Sequence, residues 1–185
     1  KKKYIKNLII EQIQLLDKEV ENLISDTNKN ELTQRNFNEL NWIIWYPWLK
    51  PEKEDNGEAK KYEFSSIADS FKLVNLKIKN NEGKLLAFIM LHLRDKQMQI
   101  PYIYCLNNEM ESAVNAIYYS MLKYRLRTVS IFQPQFASYI SKNSSPFFKK
   151  RQMKKSFLIT EKLKKHLENI EDIQFQDGDG DSAFT

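Results

Sequence analysis

One stretch of this chain, from Phe71 to Phe132, constrains its fold more than any other feature of the sequence. It is patterned as strand, tight turn, strand, turn, strand, helix and strand, whereas the flanking segments are less regular. The first strand spans Phe71 to Lys79, and its apolar alternation changes phase near Val74-Asn75, which predicts a bulge or twist. Asn80 to Gly83 predicts a hairpin turn, because glycine and asparagine tolerate positive φ angles.

The second and third strands of this stretch have different sequence patterns. Leu85 to Leu93 is an almost continuous apolar run, which is typical of a strand covered on both faces. Asp95 to Gln97 turns the chain into the third strand, Met98 to Cys105, which is rich in isoleucine and tyrosine. Pro101 has no N–H group to donate, so the third strand must be unpaired or bulged on one side at its centre.

A helix from about Asn108 to Arg125 is predicted to connect the third strand to a fourth. Asn108 is interpreted as its N-cap residue, with Glu111 completing a capping box. The apolar face of this helix is formed by residues at helical spacing: Met110, Ala113, Val114, Ile117, Met121 and Tyr124. Thr128 to Phe132 is short and β-branched, and a helical crossover predicts that it runs parallel to the third strand.

Residues 1–50 are predicted to form N-terminal helices packed on the core. Lys1 to Ser25 is interpreted as one helix packed on its own domain, with a coiled coil with a partner as the alternative. Its apolar seam alternates gaps of four and three residues: Ile9, Ile13, Leu16, Val20 and Leu23. A second helix from about Glu31 must end at Tyr46, because Pro47 disfavours helical geometry in the residue before it. Four aromatic residues at its end are expected to anchor it to the core or, alternatively, to line a ligand cleft: Trp42, Trp45, Tyr46 and Trp48.

Residues 51–61 are predicted to be an exposed loop, and residues 62–185 are predicted to form the α/β core. Within that core, Ser65 to Ser70 predicts a helical turn, Pro134 to Ser141 a short helix and Ser156 to Thr160 another strand. One cysteine among 185 residues excludes a disulfide scaffold and favours a reducing, cytoplasmic location. No apolar run is long enough for a membrane span. The chain begins without methionine, so we expect it to be part of a longer polypeptide, whose upstream domain is a candidate partner.

The segment from Lys142 to Lys165 is strongly basic, with nine lysine or arginine residues against the single acid Glu161. It is interpreted mainly as a solvated face that the six acids between residues 168 and 181 neutralise. The alternative is a weak surface for single-stranded nucleic acid, with Phe147 and Phe148 as stacking platforms. A net charge of +5 permits an acidic partner without requiring one.

Conventional catalytic motifs are missing from the sequence, which has no nucleophile elbow, no P-loop and no cysteine pair. His92 is interpreted as a core residue and His166 as an exposed one, and no metal site is predicted. Asp177 to Asp181 spaces carboxylates as the first half of an EF-hand loop does, but the position-twelve glutamate is missing. This tail is therefore expected to form a tight turn whose acids are solvated or pair with lysines.

The order of the elements resembles the Gcn5-related N-acetyltransferase (GNAT, acyl-CoA N-acyltransferase) fold from Phe71 to Thr185. Phe147 to Phe157 looks like the helix, loop and strand near the end of that fold. The closing Gln176 to Thr185 is similar to the C-termini of bacterial proteins classed with the family. The resemblance implies an α+β fold, in which a mixed sheet is flanked by helices and preceded by an N-terminal helical segment.

The resemblance also implies where acyl-CoA would bind. In the family, backbone amides of a glycine-containing loop before the connecting helix hold the pyrophosphate. The equivalent segment here, Leu106 to Ala113, contains no glycine and has carboxylates at Glu109 and Glu111. The residues expected nearest to any cofactor are Tyr104, Cys105, Leu106, Asn107 and Asn108. Ser141 stands where the family often has a catalytic tyrosine, Tyr139 is out of phase, and no catalytic residue can be assigned.

We therefore expect a GNAT-like domain without the usual pyrophosphate loop, acting as an accessory or non-canonical half of an N-acyltransferase. It is expected to bind no cofactor, or to bind acyl-CoA or acetyl-CoA in a non-canonical mode. One alternative is an active N-acetyltransferase with a divergent cofactor loop and a small-molecule or amine acceptor. The other is a nucleic-acid-binding module that uses residues 142–165.

Overall fold

The computed structural model describes residues 2–27, 31–46, 68–143, 146–147, 149–153, 158–167 and 174–179. Their centre is a five-stranded mixed sheet in the order β1-β2-β3-β4-β5. The strands are β1 (Leu8–Ile13), β2 (Phe71–Asn80), β3 (Leu85–Arg94), β4 (Gln97–Cys105) and β5 (Thr128–Ser130). The helices are α1 (Lys18–Thr27), α2 (Phe37–Trp45), α3 (Met110–Lys123), α4 (Pro134–Lys142) and α5 (Glu161–Leu167). The predicted α+β class is confirmed.

Neighbouring strands from β1 to β4 are antiparallel, and β5 runs parallel to β4. The parallel pair is connected through α3, as the sequence predicted. One face of the sheet packs against α3 and α4, and the other packs against α1 and α2. Since both faces are covered, every residue of β3 from Leu85 to Leu93 is buried.

The predicted helix over Lys1 to Ser25 is wrong. A short 3-10 helix at Lys2–Ile5 is followed by β1, and only Lys18–Thr27 is α-helical. Every residue of β1 pairs with β2, because isoleucine-rich sequence fits an extended edge strand as well as a helix. The N-terminal region thus contributes a strand to the central sheet. The part of the predicted seam within α1, Val20 and Leu23, is buried as expected.

The hairpin between β2 and β3 has the predicted turn at Asn80 to Gly83. Gly83 has a φ of 84°, and the Asn80 side chain accepts hydrogen bonds from the backbone of Glu82 and Lys84 at 3.1 and 2.9 Å. The predicted bulge near Val74-Asn75 is wrong, because the register shifts between Ile78 and Lys79 instead. The change of phase arose because consecutive residues of this strand are buried on both faces.

The irregularity predicted at Pro101 is confirmed. Met90 pairs with Tyr102 whereas His92 pairs with Gln99, so the β3–β4 register shifts beside the proline. The parallel ladder with β5 involves only Gln97 to Gln99. After Gln99, β5 no longer pairs with β4, so this side of β4 has no strand beside it among the described residues.

The predicted capping box at the start of α3 is wrong. Asn108 has a φ of 80°, and the helix begins two residues later, at Met110. Glu109 occupies the N-cap position but makes no capping hydrogen bond with its side chain. Its carboxylate instead accepts a hydrogen bond from the Ser112 hydroxyl at 2.7 Å. The capping pattern misplaced the helix start because the left-handed Asn108 turns the chain before the helix begins.

The second helix, α2, begins at Phe37 rather than near Glu31, and it ends at Trp45, just before the predicted limit. Asn36 and Glu39 form its capping box. The predicted helix at Pro134 to Ser141 is confirmed as α4. Residues 158–160 are not in a strand, and the rest of the predicted strand at Ser156 to Thr160 lies outside the described residues.

Three further expectations fall outside the described residues: the loop at 51–61, most of the helical turn at Ser65 to Ser70, and the side chain of His166. In the part of the chain that the structure describes, no helix has the length and apolar character needed to span a membrane.

Candidate functional site

The residues that the resemblance placed nearest to a cofactor lie in three different environments. The Tyr104 side chain is buried in the core between the sheet and α1 and α2. Cys105 is half-buried on the opposite face, and Leu106 donates its backbone N–H to the Leu86 carbonyl at 2.9 Å. Asn107 and Asn108 are exposed in the turn before α3. The structure therefore does not gather these five side chains at one surface.

Cys105 is poorly suited to act as a nucleophile. Burial raises the pKa of its thiol to about 11, and the negative charge of Glu109 contributes in the same direction. A thiol with this pKa is almost entirely protonated at neutral pH.

The candidate site is the side of β4 that does not pair with β5, where side-chain amides bond the strand's backbone. We call the backbone groups of Ile100 and Ile103 on this side the β4 edge. The side-chain amide of Gln176 occupies it: Gln176 Oε1 accepts from the Ile103 N–H at 3.1 Å, and Nε2 donates to the Ile103 carbonyl at 3.0 Å. One carboxamide thus makes the pair of bonds that a peptide group of a neighbouring strand would make.

A second carboxamide completes the closure of the β4 edge. Gln133 Nε2 donates to the Ile100 carbonyl at 2.9 Å and to Gln176 Oε1 at 3.1 Å. Gln133 and Gln176 are buried, with 4% and 5% of their surfaces exposed. Two glutamine side chains of the same chain therefore bond the backbone groups of the β4 edge.

Gln176 belongs to residues 174–179, which we call the strap. The strap includes a 3-10 turn at Asp177–Asp179 and lies against β4. The Tyr102 hydroxyl donates to the Gly178 carbonyl at 2.7 Å, and a Cβ atom at Gly178 would overlap the Tyr102 ring. A glycine is required here because the backbone approaches the tyrosine closely.

Leu32 and Arg35, which precede α2 in the sequence, bind the other side of the strap. The backbone N–H of Leu32 donates to the Gln174 carbonyl at 3.1 Å. Arg35 Nε lies 3.6 Å from Asp179 Oδ1, and the Asp179 side chain is only 4% exposed. The expectation that the acids of the tail are solvated or pair with lysines is wrong for Asp177 and Asp179, since Asp177 is also buried.

Glu31 binds the strap through its carboxyl group. Its Oε1 accepts a hydrogen bond from Gln176 Nε2 at 2.5 Å, and the residue is 7% exposed. Burial raises its pKa to about 7 with help from the charge of Asp179, while Gln176 and the Tyr104 hydroxyl oppose the shift. Burial likewise raises the pKa of Tyr104, and the charge of Glu31 adds to this effect. Glu31 therefore titrates near neutral pH.

The cluster also contains buried oxygens with unmet hydrogen-bonding capacity. Glu31 Oε2 and Gln133 Oε1 accept no hydrogen bond of standard geometry from the described residues. A proton on Glu31 Oε2 would convert that oxygen from an acceptor into a donor. Burial is therefore what favours the neutral acid while the strap is in place, and the donor Gln176 acts against it.

The aromatic residues at the end of α2 do not anchor it to the core, contrary to the main expectation. Trp42, Trp45 and Tyr46 are 51%, 64% and 59% exposed, and Trp42 contacts Tyr46 through its ring. The buried anchors of α2 are Leu40 and Ile43. Trp48 lies outside the described residues.

His92 is buried in β3 and makes an edge-on contact with the Phe71 ring, as expected of a core histidine. Among the described residues, no group of three or more histidine, cysteine, aspartate or glutamate side chains could hold a metal ion. The Tyr139 ring packs against the core beside α3, whereas Ser141 is exposed.

Within the described part of the basic segment, Lys150 contributes to the fold itself. Lys150 Nζ donates to the Ile140 carbonyl at 2.7 Å and to the Asn143 carbonyl at 3.3 Å, which caps the end of α4. Lys149 and Arg151 are exposed. Phe147 makes an edge-on contact with Tyr118, so this ring packs on the core.

Fold and site together define an α+β protein with a five-stranded mixed sheet, in which side-chain amides complete the edge of the fourth strand. Comparisons with protein-family models, with curated proteins and with solved structures find no match to this chain.

The four residues of this buried cluster were not predicted as a site: Glu31, Gln133, Gln176 and Asp179. Three separate segments of the chain contribute them, and Asp179 alone belongs to a stretch that the sequence singled out, Asp177 to Asp181. Pro101 was the one available signal, since it indicated that part of β4 needs a partner other than a strand.

Proposed function

We propose that this chain is a GNAT-like domain that lacks the usual pyrophosphate loop and acts as an accessory or non-canonical half of an N-acyltransferase. The observation that carries the proposal is the contact of Gln176 with Ile103. A pantetheine arm entering beside Pro101 would need this edge, because its amide groups would bond to the same backbone atoms. The carboxamide of Gln176 occupies them instead.

The order of the strands supports the family part of this proposal. Three antiparallel strands, a crossover helix and a parallel fifth strand follow one another along the chain from Phe71 to Ser130. The parallel pairing covers only Gln97 to Gln99, so β5 leaves β4 unpaired beside Pro101, where a pantetheine arm would enter under this proposal.

The turn before α3 supports the absence of conventional acyl-CoA binding. Glu109 and Glu111 lie at the start of the helix, where the family holds a pyrophosphate. Two unit charges 4 Å apart repel by about 1 kcal/mol in water, and by more where water is excluded. A diphosphate at this position would meet both carboxylates.

One observation favours a second candidate function, an active acyltransferase with a divergent cofactor loop. Glu109 does not cap the first backbone amides of α3 with its side chain. Uncapped amides at a helix N-terminus are favourable ligands for an anion. A cofactor held there would have to displace Gln176 as well.

Thermal unfolding with CoA in large excess distinguishes the two candidates. One-site binding at about a hundred times the dissociation constant would stabilise the protein by about 2.7 kcal/mol. We expect no stabilisation of the wild-type protein at pH 6, and a CoA-dependent increase would favour the active enzyme.

Variants then test the family assignment separately. The triple variant Glu109→Gly, Glu111→Gly and Gln176→Ala removes both obstacles, and we expect it to gain CoA-dependent stabilisation. Gln135→Ala, a glutamine exposed on α4, is the matched control and should gain none. A triple variant that folds and still ignores CoA would contradict the GNAT-like assignment.

A further inference from the structure

The strap is attached to the rest of the molecule through polar groups that meet in one buried cluster. Gln176 uses its whole carboxamide: its two donors reach Glu31 and Ile103, and its oxygen accepts from Ile103 and Gln133. Of these three partners only Glu31 can change its charge, so its ionisation acts directly on the strap.

Among the described residues, the carboxylate of Asp179 pairs with Arg35, whereas Glu31 makes no ion pair. Glu31 and Asp179 are both buried, and Asp179 lies 3.6 Å from the guanidinium of Arg35. The other titratable groups that face Glu31 are the hydroxyls of Tyr104 and Tyr102 on β4. Burial raises the pKa of both tyrosines, so neither supplies a charge near neutral pH. One positive charge compensates one carboxylate, which leaves an ionised Glu31 without a counter-ion in this group.

We infer that the strap is a proton-controlled closure of the β4 edge, which is docked while Glu31 is protonated and released when Glu31 ionises. Release leaves the N–H and carbonyl groups of Ile103 without the carboxamide of Gln176. The inference rests on the contacts of Glu31, Gln176 and Asp179, and it does not depend on the proposed function.

The direction of the pH effect follows from linkage. The pKa of Glu31 is about 7 in the docked state and has an ordinary value of 4.5 when the group is solvated. The docked state therefore binds the proton more tightly, and docking weakens as pH rises between these two values. Above the docked pKa, both states have lost the proton and the docking equilibrium no longer changes.

Amide hydrogen exchange at Ile103 measures the closure, because its N–H is bonded to Gln176. With exchange corrected for the intrinsic rate at each pH, we expect the protection of this amide to fall about tenfold between pH 6 and pH 8. Amides in the centre of β3, such as that of Ile89, should keep their protection, which separates strap release from global unfolding.

The variant Glu31→Gln removes the titrating group and keeps the acceptor for Gln176. Its Ile103 amide should show constant protection between pH 6 and pH 8, whereas the control Glu111→Gln, at an exposed glutamate, should behave like the wild type. Unchanged protection of Ile103 in the wild-type protein would overturn the inference, and this result does not depend on whether any variant folds. A Glu31→Gln protein with the pH dependence of the wild type would also overturn it.

Discussion

The side chain of Gln176 is bonded to the backbone of Ile103 in both directions, at 3.1 Å through the N–H and at 3.0 Å through the carbonyl. These residues are 73 positions apart, so the contact brings the C-terminal part of the described chain onto the central sheet. Because the contact is buried, its removal leaves backbone groups without a partner. The bonds that close the β4 edge therefore contribute to the free energy of unfolding.

Gln176→Ala should destabilise the protein. It leaves the buried N–H and carbonyl of Ile103 unpaired, and each unsatisfied group costs about 1–3 kcal/mol. Urea denaturation should show the loss in the free energy of unfolding. Gln135→Ala on the exposed side of α4 should change this free energy by no more than about 0.5 kcal/mol. Equal losses of the free energy of unfolding in the two variants would contradict the role of Gln176 in closing the β4 edge.

Gly178→Ala should disturb the strap through Tyr102. The added methyl group would overlap the tyrosine ring, and overpacking of this kind costs about 1–3 kcal/mol. Gly83→Ala is the contrast, because Gly83 has open space but a positive φ, so its strain is confined to the turn. Chemical shifts of Ile103 should move in the first variant only. Undisturbed Ile103 shifts in the Gly178 variant would mean that the strap does not press on Tyr102.

The free energy of unfolding should decrease as pH rises from about 4.5 to about 7. The folded-state pKa of Glu31 is raised, so its contribution is complete below the unfolded pKa and is lost by the folded one. The shift corresponds to about 3 kcal/mol at about 1.36 kcal/mol per pKa unit. Chemical denaturation across this range should show the decrease in the wild type and a smaller one in Glu31→Gln. The same decrease of the free energy of unfolding with pH in both proteins would show that a group other than Glu31 titrates.

Any nucleic-acid binding by the basic segment should be weak, non-specific and salt-dependent. Lys150 is engaged with the end of α4 and Phe147 with Tyr118, so exposed cations such as Lys149 and Arg151 would contact phosphates without ordered stacking. Binding driven by phosphate contacts falls linearly in log–log plots against salt. Fluorescence anisotropy with labelled single strands should show this loss between 50 and 200 mM salt, which is roughly the range where phosphate contacts weaken. A tight complex at high salt would contradict this prediction of weak, phosphate-driven binding.

The central stretch was predictable because its local signals agree with one another. The Asn80 to Gly83 turn, the buried run of β3, the bulge at Pro101 and the helical crossover to β5 each follow from a few neighbouring residues. The N-terminal strand was missed because Leu8 to Ile13 fits two periodicities, and pairing with β2 decided between them. Tertiary contact overrides local preference in such segments.

The closure of β4 was not predictable in the same way. Pro101 indicated that a partner was needed, but nothing local to Glu31, Gln133 or Gln176 shows that these side chains converge. The prediction for Asp177 to Asp181 was wrong because acidic residues usually lie exposed to solvent. Here the Asp179 side chain is buried beside Arg35, and the Tyr102 ring packs against Gly178. Long-range burial of polar residues leaves little trace in composition or spacing.

The most direct test is a titration of the isotope-labelled protein with CoA, followed through the Ile103 amide and the side-chain amide of Gln176. If Gln176 closes the β4 edge against CoA, as we propose, both resonances should stay in place at pH 6 with CoA in large excess. A saturable shift of both resonances, with Gln176 losing its contact to Ile103, would show that CoA enters beside Pro101 and would contradict the account.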